Sequence, residues 1–122
     1  GTDKEGESKT SVQNLLEDNE KLTLKQLLTG ENAFGTLMEK SGFPAVPSLQ
    51  DPFPKEGEAY FNGGYNTRRY TSSEHPKVFG MQIEANFKGV RDSEENRVKF
   101  SNAFAKSVDS YLDFIESNWD YK

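Results

Sequence analysis

The chain has 122 residues, enough for one domain with a single modest core, and 29% of them are charged against 33% hydrophobic. A net charge of −5 argues against a general nucleic-acid binder, which needs a basic surface to displace counterions. The absence of cysteine removes disulfides, thiolate metal sites and cysteine nucleophiles together, without fixing the compartment. No apolar run approaches a membrane span, and no signal peptide is visible.

Residues 1–10, "GTDKEGESKT", are polar and charged and read as a disordered tail. They begin without Met, as a processed piece would. Residues 11–122 read as one unit. Val12, Leu15, Leu16, Leu24, Leu27 and Leu28 recur at helical spacing in two short runs, with Thr23 placed to cap the second and Gly30 to stop it. "ENAFGTLMEKSG" repeats that format: Asn32 is the expected cap, Phe34, Leu37 and Met38 share a face, and Gly42 ends the helix.

The stretch 43–60 holds four of the five prolines, Pro44, Pro47, Pro52 and Pro54, which excludes helix and central strand. It reads as an extended surface connection, either a pocket wall or a covering strap. Two strands are expected next. "YNTRRYT", Tyr65–Thr71, is rich in aromatic and Thr residues, and "KVFGMQIEANF" puts Phe79, Met81 and Ile83 on one face and Gly80, Gln82 and Glu84 on the other. "SSEHP" between them has turn composition. The chain closes with a long amphipathic helix over 92–119. Asp92 and Glu95 suggest a capping box, and Phe100, Phe104, Val108, Tyr111, Leu112, Ile115 and Trp119 form a core stripe.

Glu84 is the foremost candidate for chemistry, because a carboxylate on a strand among apolar neighbours loses hydration and becomes suited to proton transfer. Gln82 shares its face and could orient a water or an amide. The plain alternative is an exposed or salt-bridged carboxylate. Arg68 and Arg69 alternate faces on a regular strand, so only one can share the Glu84 side; a planar guanidinium is suited to clamp a carboxylate, or equally to form a structural pair. Asn62, Gly63 and Gly64 form a tight turn whose backbone can approach a ligand, although no Lys-Ser/Thr follows to make a phosphate loop. His75, the only histidine, precedes Pro76 and reads as an exposed loop residue. One histidine does not make a histidine-rich zinc site.

The succession "FGTLMEKSGFPAVPS", "YFNGGYNTRRY", "MQIEAN" and "GVRDSEENRVKFSNAFAKSV" resembles the C-terminal portion of N-formylglutamate amidohydrolase-like proteins over roughly residues 33–115. The resemblance implies an α/β fold of the phosphorylase/hydrolase type, a mixed sheet with flanking helices similar to zinc carboxypeptidases, of which this chain is an incomplete half. It also implies a metal-dependent amidohydrolase acting on an acidic N-acyl amino acid. Glu84 would be the general base and Arg68 and Arg69 the carboxylate clamp. A divalent metal such as zinc would be held by residues outside this chain. The partner would be the N-terminal half or a separate chain of the same enzyme, in a hetero-oligomer. Three accounts fit the missing ligands: a processed chain, an excised fragment, or a stand-alone, non-catalytic acidic binding or structural protein that retains the scaffold. A half-domain of this kind has an open sheet edge and is expected to associate or to be poorly stable alone.

Overall fold

A computed structural model describes residues 10–17, 19–53 and 65–120, and these build a helical fold. In chain order they form a 3-10 turn at Gln13–Leu15, α1 at Leu24–Thr29, α2 at Phe34–Lys40, α3 at Tyr65–Tyr70, a turn at Phe87–Arg91 and α4 at Glu94–Ser117. Among the described residues there is no strand, which overturns the expected α/β mixed sheet and leaves no sheet edge there. Residues 1–9 of the expected tail, and residues 54–64 beyond the first part of the Pro-rich stretch, lie outside the described residues.

Both strand expectations fail for identifiable reasons. "YNTRRY" is α3, because intrinsic preferences of Tyr, Asn and Thr against helix amount to only about 0.7 kcal/mol per residue at most. Arg68 and Arg69 stand in its last turn, where cations complement the helix dipole, and Thr71 prolongs the coil by bonding its N–H to the Thr67 carbonyl at 3.2 Å. The second stretch has no regular secondary structure over residues 78–86 and pairs with no strand among the described residues. Phe79 packs on the core, whereas Met81 and Ile83 on the same expected face are exposed, Ile83 by 43%.

The helix ends follow from local chemistry. Thr23 caps α1 with a capping box: its hydroxyl accepts from the Gln26 N–H at 3.1 Å, and the Gln26 side chain accepts from the Thr23 N–H at 2.9 Å. At α2 the cap is Ala33 rather than the expected Asn32 and makes no side-chain bond; past its other end Gly42 takes φ 95°, a conformation suited to glycine. At α4 the cap is Ser93, one residue beyond the expected Asp92, and its hydroxyl accepts from Asn96 N–H. Asp92 instead accepts from the Asn96 side chain at 2.8 Å and from the Gly89 N–H at 3.0 Å, which ties the turn to the helix.

The core lies between α4, α1, α2 and the segment around the 3-10 turn. Val12, Leu15, Leu22, Leu27, Phe34, Met38, Ala103, Tyr111 and Ile115 are its buried residues. Phe34 meets Phe104 and Tyr111 edge-on at 5.6 and 6.1 Å, and Phe43 meets Phe100 at 5.3 Å, arrangements that aromatic quadrupoles favour. The α4 stripe therefore turns slightly from its expected position: small Ala103 and Ser107 join the buried face, while Leu112 is 47% exposed and Trp119 is exposed beyond the helix end. The start of the Pro-rich stretch is a strap docked on α2. Thr36 and Ser48 are fully buried there, and the Thr36 hydroxyl accepts from Leu49 N–H at 2.8 Å.

Candidate functional site

The site begins with a buried amide. Asn14, in the 3-10 turn, is 6% exposed, and its Nδ2 donates toward the carbonyls of Val78, His75, Ser72 and Thr71 at 2.7, 2.8, 3.0 and 3.1 Å. A primary amide carries two hydrogens, so these four acceptors share them in three-centre bonds. The turn 71–78 is thereby wrapped around one side chain, and with it the C-terminal end of α3. His75 is half-buried rather than exposed: its ring packs on Tyr70 at 5.4 Å, and its Nε2 is buried without a bonding partner among the described residues.

Around this anchored turn, Tyr65, Arg68, Arg69, Ser72, Ser73 and Glu74 line an open depression of about 370 Å³. Arg68 and Arg69 are thus brought together, but on a helix, where successive residues stand about 100° apart instead of on opposite faces. Arg69 Nη1 pairs with Glu74 Oε2. Arg68 makes no ion pair among the described residues. The Ser72 hydroxyl donates to the Arg69 carbonyl at 2.9 Å, so its oxygen faces other ligands as an acceptor.

Gln82 meets α3 by accepting from the Thr67 hydroxyl at 3.3 Å. Glu84, two residues on, is exposed and does not line the depression. The burial that was expected to prepare it for proton transfer is absent, because the segment has no sheet around it. Asn62, Gly63 and Gly64 lie outside the described residues. Among the described residues no three His, Cys, Asp or Glu side chains gather to hold a metal, and no helix is long and apolar enough to cross a membrane. A second shallow hollow, of about 310 Å³, is lined by Phe79, Leu112, Ile115, Glu116 and Trp119.

The residues that sequence reasoning missed are Asn14, Tyr65, Ser72, Ser73 and Glu74. A polar residue inside the apolar run "VQNLL" was the available signal for Asn14. No family model, curated protein or solved structure matches this chain.

Proposed function

We propose that this chain is a non-catalytic binding module that holds an anionic ligand against Arg68. The observation that carries the reading is the depression at the end of α3, where the Arg68 guanidinium stands without an ion-pair partner among the described residues, beside Tyr65 and two serines. A guanidinium donates two parallel hydrogen bonds to a planar anion, and an exposed aromatic ring adds contact area for the rest of the ligand. The Tyr65 and Tyr70 rings, with Met81, Ile83 and Phe87 nearby in sequence, expose apolar surface of the kind interaction sites use.

Hydrolysis needs Glu84 beside both a metal and the arginines. Its exposed position away from the lining of the depression gives that reading no geometric support, and the helical fold removes the strand that would have carried it. Binding through one exposed guanidinium is weak, with a dissociation constant on the order of 1 mM.

Calorimetric titration with benzoate tests the proposal. Saturable binding that falls at least about fivefold in Arg68→Gln is expected, since truncating a charge-assisted contact costs roughly 1–2 kcal/mol. Binding unchanged by that substitution would overturn it.

A further inference from the structure

We infer that Glu74 sets the charge class of the ligand: by compensating the charge of Arg69 it leaves a single uncompensated guanidinium for the anion, so the site takes a monoanionic carboxylate in preference to a phosphate dianion. The inference rests on the reading of the Arg68 depression given above. Its own evidence is the Arg69–Glu74 pair, which lines the depression and puts a carboxylate in its wall. The three charged side chains that line it, Arg68, Arg69 and Glu74, leave a net of one positive charge.

The position of Glu74 is not left to a free loop. It sits in the turn whose carbonyls, from Thr71 to Val78, converge on the buried Asn14 amide. A monoanion with two coplanar oxygens matches the fork of one guanidinium. A phosphate dianion brings a third oxygen and a second charge. The Ser72 hydroxyl hydrogen is given to the Arg69 carbonyl and is not offered to the third oxygen, and the second charge, which is the larger cost, is repelled by Glu74. Glu74 therefore acts as a selectivity residue through Arg69.

The test compares benzoate with phenyl phosphate, both at pH 8 where the phosphate is dianionic, on the full chain and on Glu74→Gln and Arg68→Gln. Glu74 is an exposed residue, so its amide variant keeps the fold, and an unchanged melting curve verifies this. The wild-type chain is expected to prefer benzoate. Glu74→Gln frees Arg69 and is expected to raise phenyl phosphate affinity about tenfold and benzoate affinity less than about threefold. If both ligands are lost in Arg68→Gln but the wild type prefers phosphate, or Glu74→Gln strengthens both equally, the Glu74 assignment is overturned and the site stands. If neither ligand responds to Arg68→Gln, or neither binds at all, the site itself is overturned, and the inference with it.

Discussion

The Nδ2 of Asn14 lies 2.7 Å from the carbonyl oxygen of Val78, sixty-four positions along the chain, and three further carbonyls of the same turn crowd the same nitrogen. One buried amide thus couples the first turn of the fold to the segment that carries Ser72, Ser73 and Glu74. Replacing it by Ala removes the donor these carbonyls share; Ser72 and His75 still accept from the His75 and Val78 backbone N–H groups, whereas Thr71 and Val78 lose this donor, and a loss of about 1–3 kcal/mol is expected. Asn14→Asp is expected to be worse at neutral pH, because a carboxylate would face four carbonyl oxygens. That variant should recover part of its stability on acidification, when a protonated acid can donate. Urea denaturation at pH 7 and pH 4 measures both effects; equal stability of Asn14→Asp and wild type at pH 7 would contradict the role assigned to the amide.

Tyr111 supplies a second long-range polar tie. Its hydroxyl donates to the Leu27 carbonyl at 3.0 Å, and burial pushes the phenol well above its ordinary value of 10.0. A raised native pKa means the unfolded state gives up its proton first, so stability is whole below pH 10 and declines as pH rises beyond it. Tyr111→Phe is expected to lose about 1 kcal/mol at pH 7 and to remove part of the alkaline slope. Denaturant melts from pH 8 to pH 11.5 distinguish this from a phenol that titrates alike in both states.

Asp92 has the opposite sign. Its carboxylate accepts from the Asn96 side chain and from the Gly89 N–H, and these bonds lower its pKa below the ordinary 3.8. The stabilisation is present above the ordinary value and is lost as pH falls through the lowered native one. An NMR pH titration of the Asp92 carboxyl should show the depressed midpoint, and Asn96→Ala should move it upward. A midpoint unaffected by Asn96→Ala would sink this account of the α4 start.

Gly35 marks where the strap meets α2. A Cβ at this position would fall 1.9 Å from the Pro47 carbonyl oxygen, a backbone atom that cannot swing aside. Gly35→Ala is therefore expected to cost about 1–3 kcal/mol although Ala favours helix, because the strap must lift away from α2 and uncover Thr36 and Ser48. Thermal denaturation checks the sign, and a stabilised variant would show that the strap is loosely held.

How far this architecture was legible depends on how local each cause is. The period of α4 spans more than six turns, so Phe100, Phe104, Val108, Tyr111 and Ile115 announced their shared face, and the Thr23 capping box was half visible in its cap. "KVFGMQIEANF" was read wrongly as a strand, since alternation says nothing about whether a neighbour exists to pair with it. Six residues of "YNTRRY" are too few to display a helical period. The arginines stood out as candidate anion ligands from their chemistry, whereas the Arg69–Glu74 pair depends on how the turn closes. That closure depends on Asn14, whose partners lie 57 to 64 positions away.

The most direct test sets the two candidate site residues, Arg68 and Glu84, against each other in one experiment. Benzoate is titrated into isotopically labelled wild-type, Arg68→Gln and Glu84→Gln chains while backbone amide shifts are followed. The account predicts saturable shifts centred on Tyr65, Arg68, Ser72 and Ser73, weakened at least about fivefold in apparent affinity by Arg68→Gln and undiminished by Glu84→Gln. Shifts centred on residues 82–86 that vanish in Glu84→Gln and persist in Arg68→Gln would contradict it.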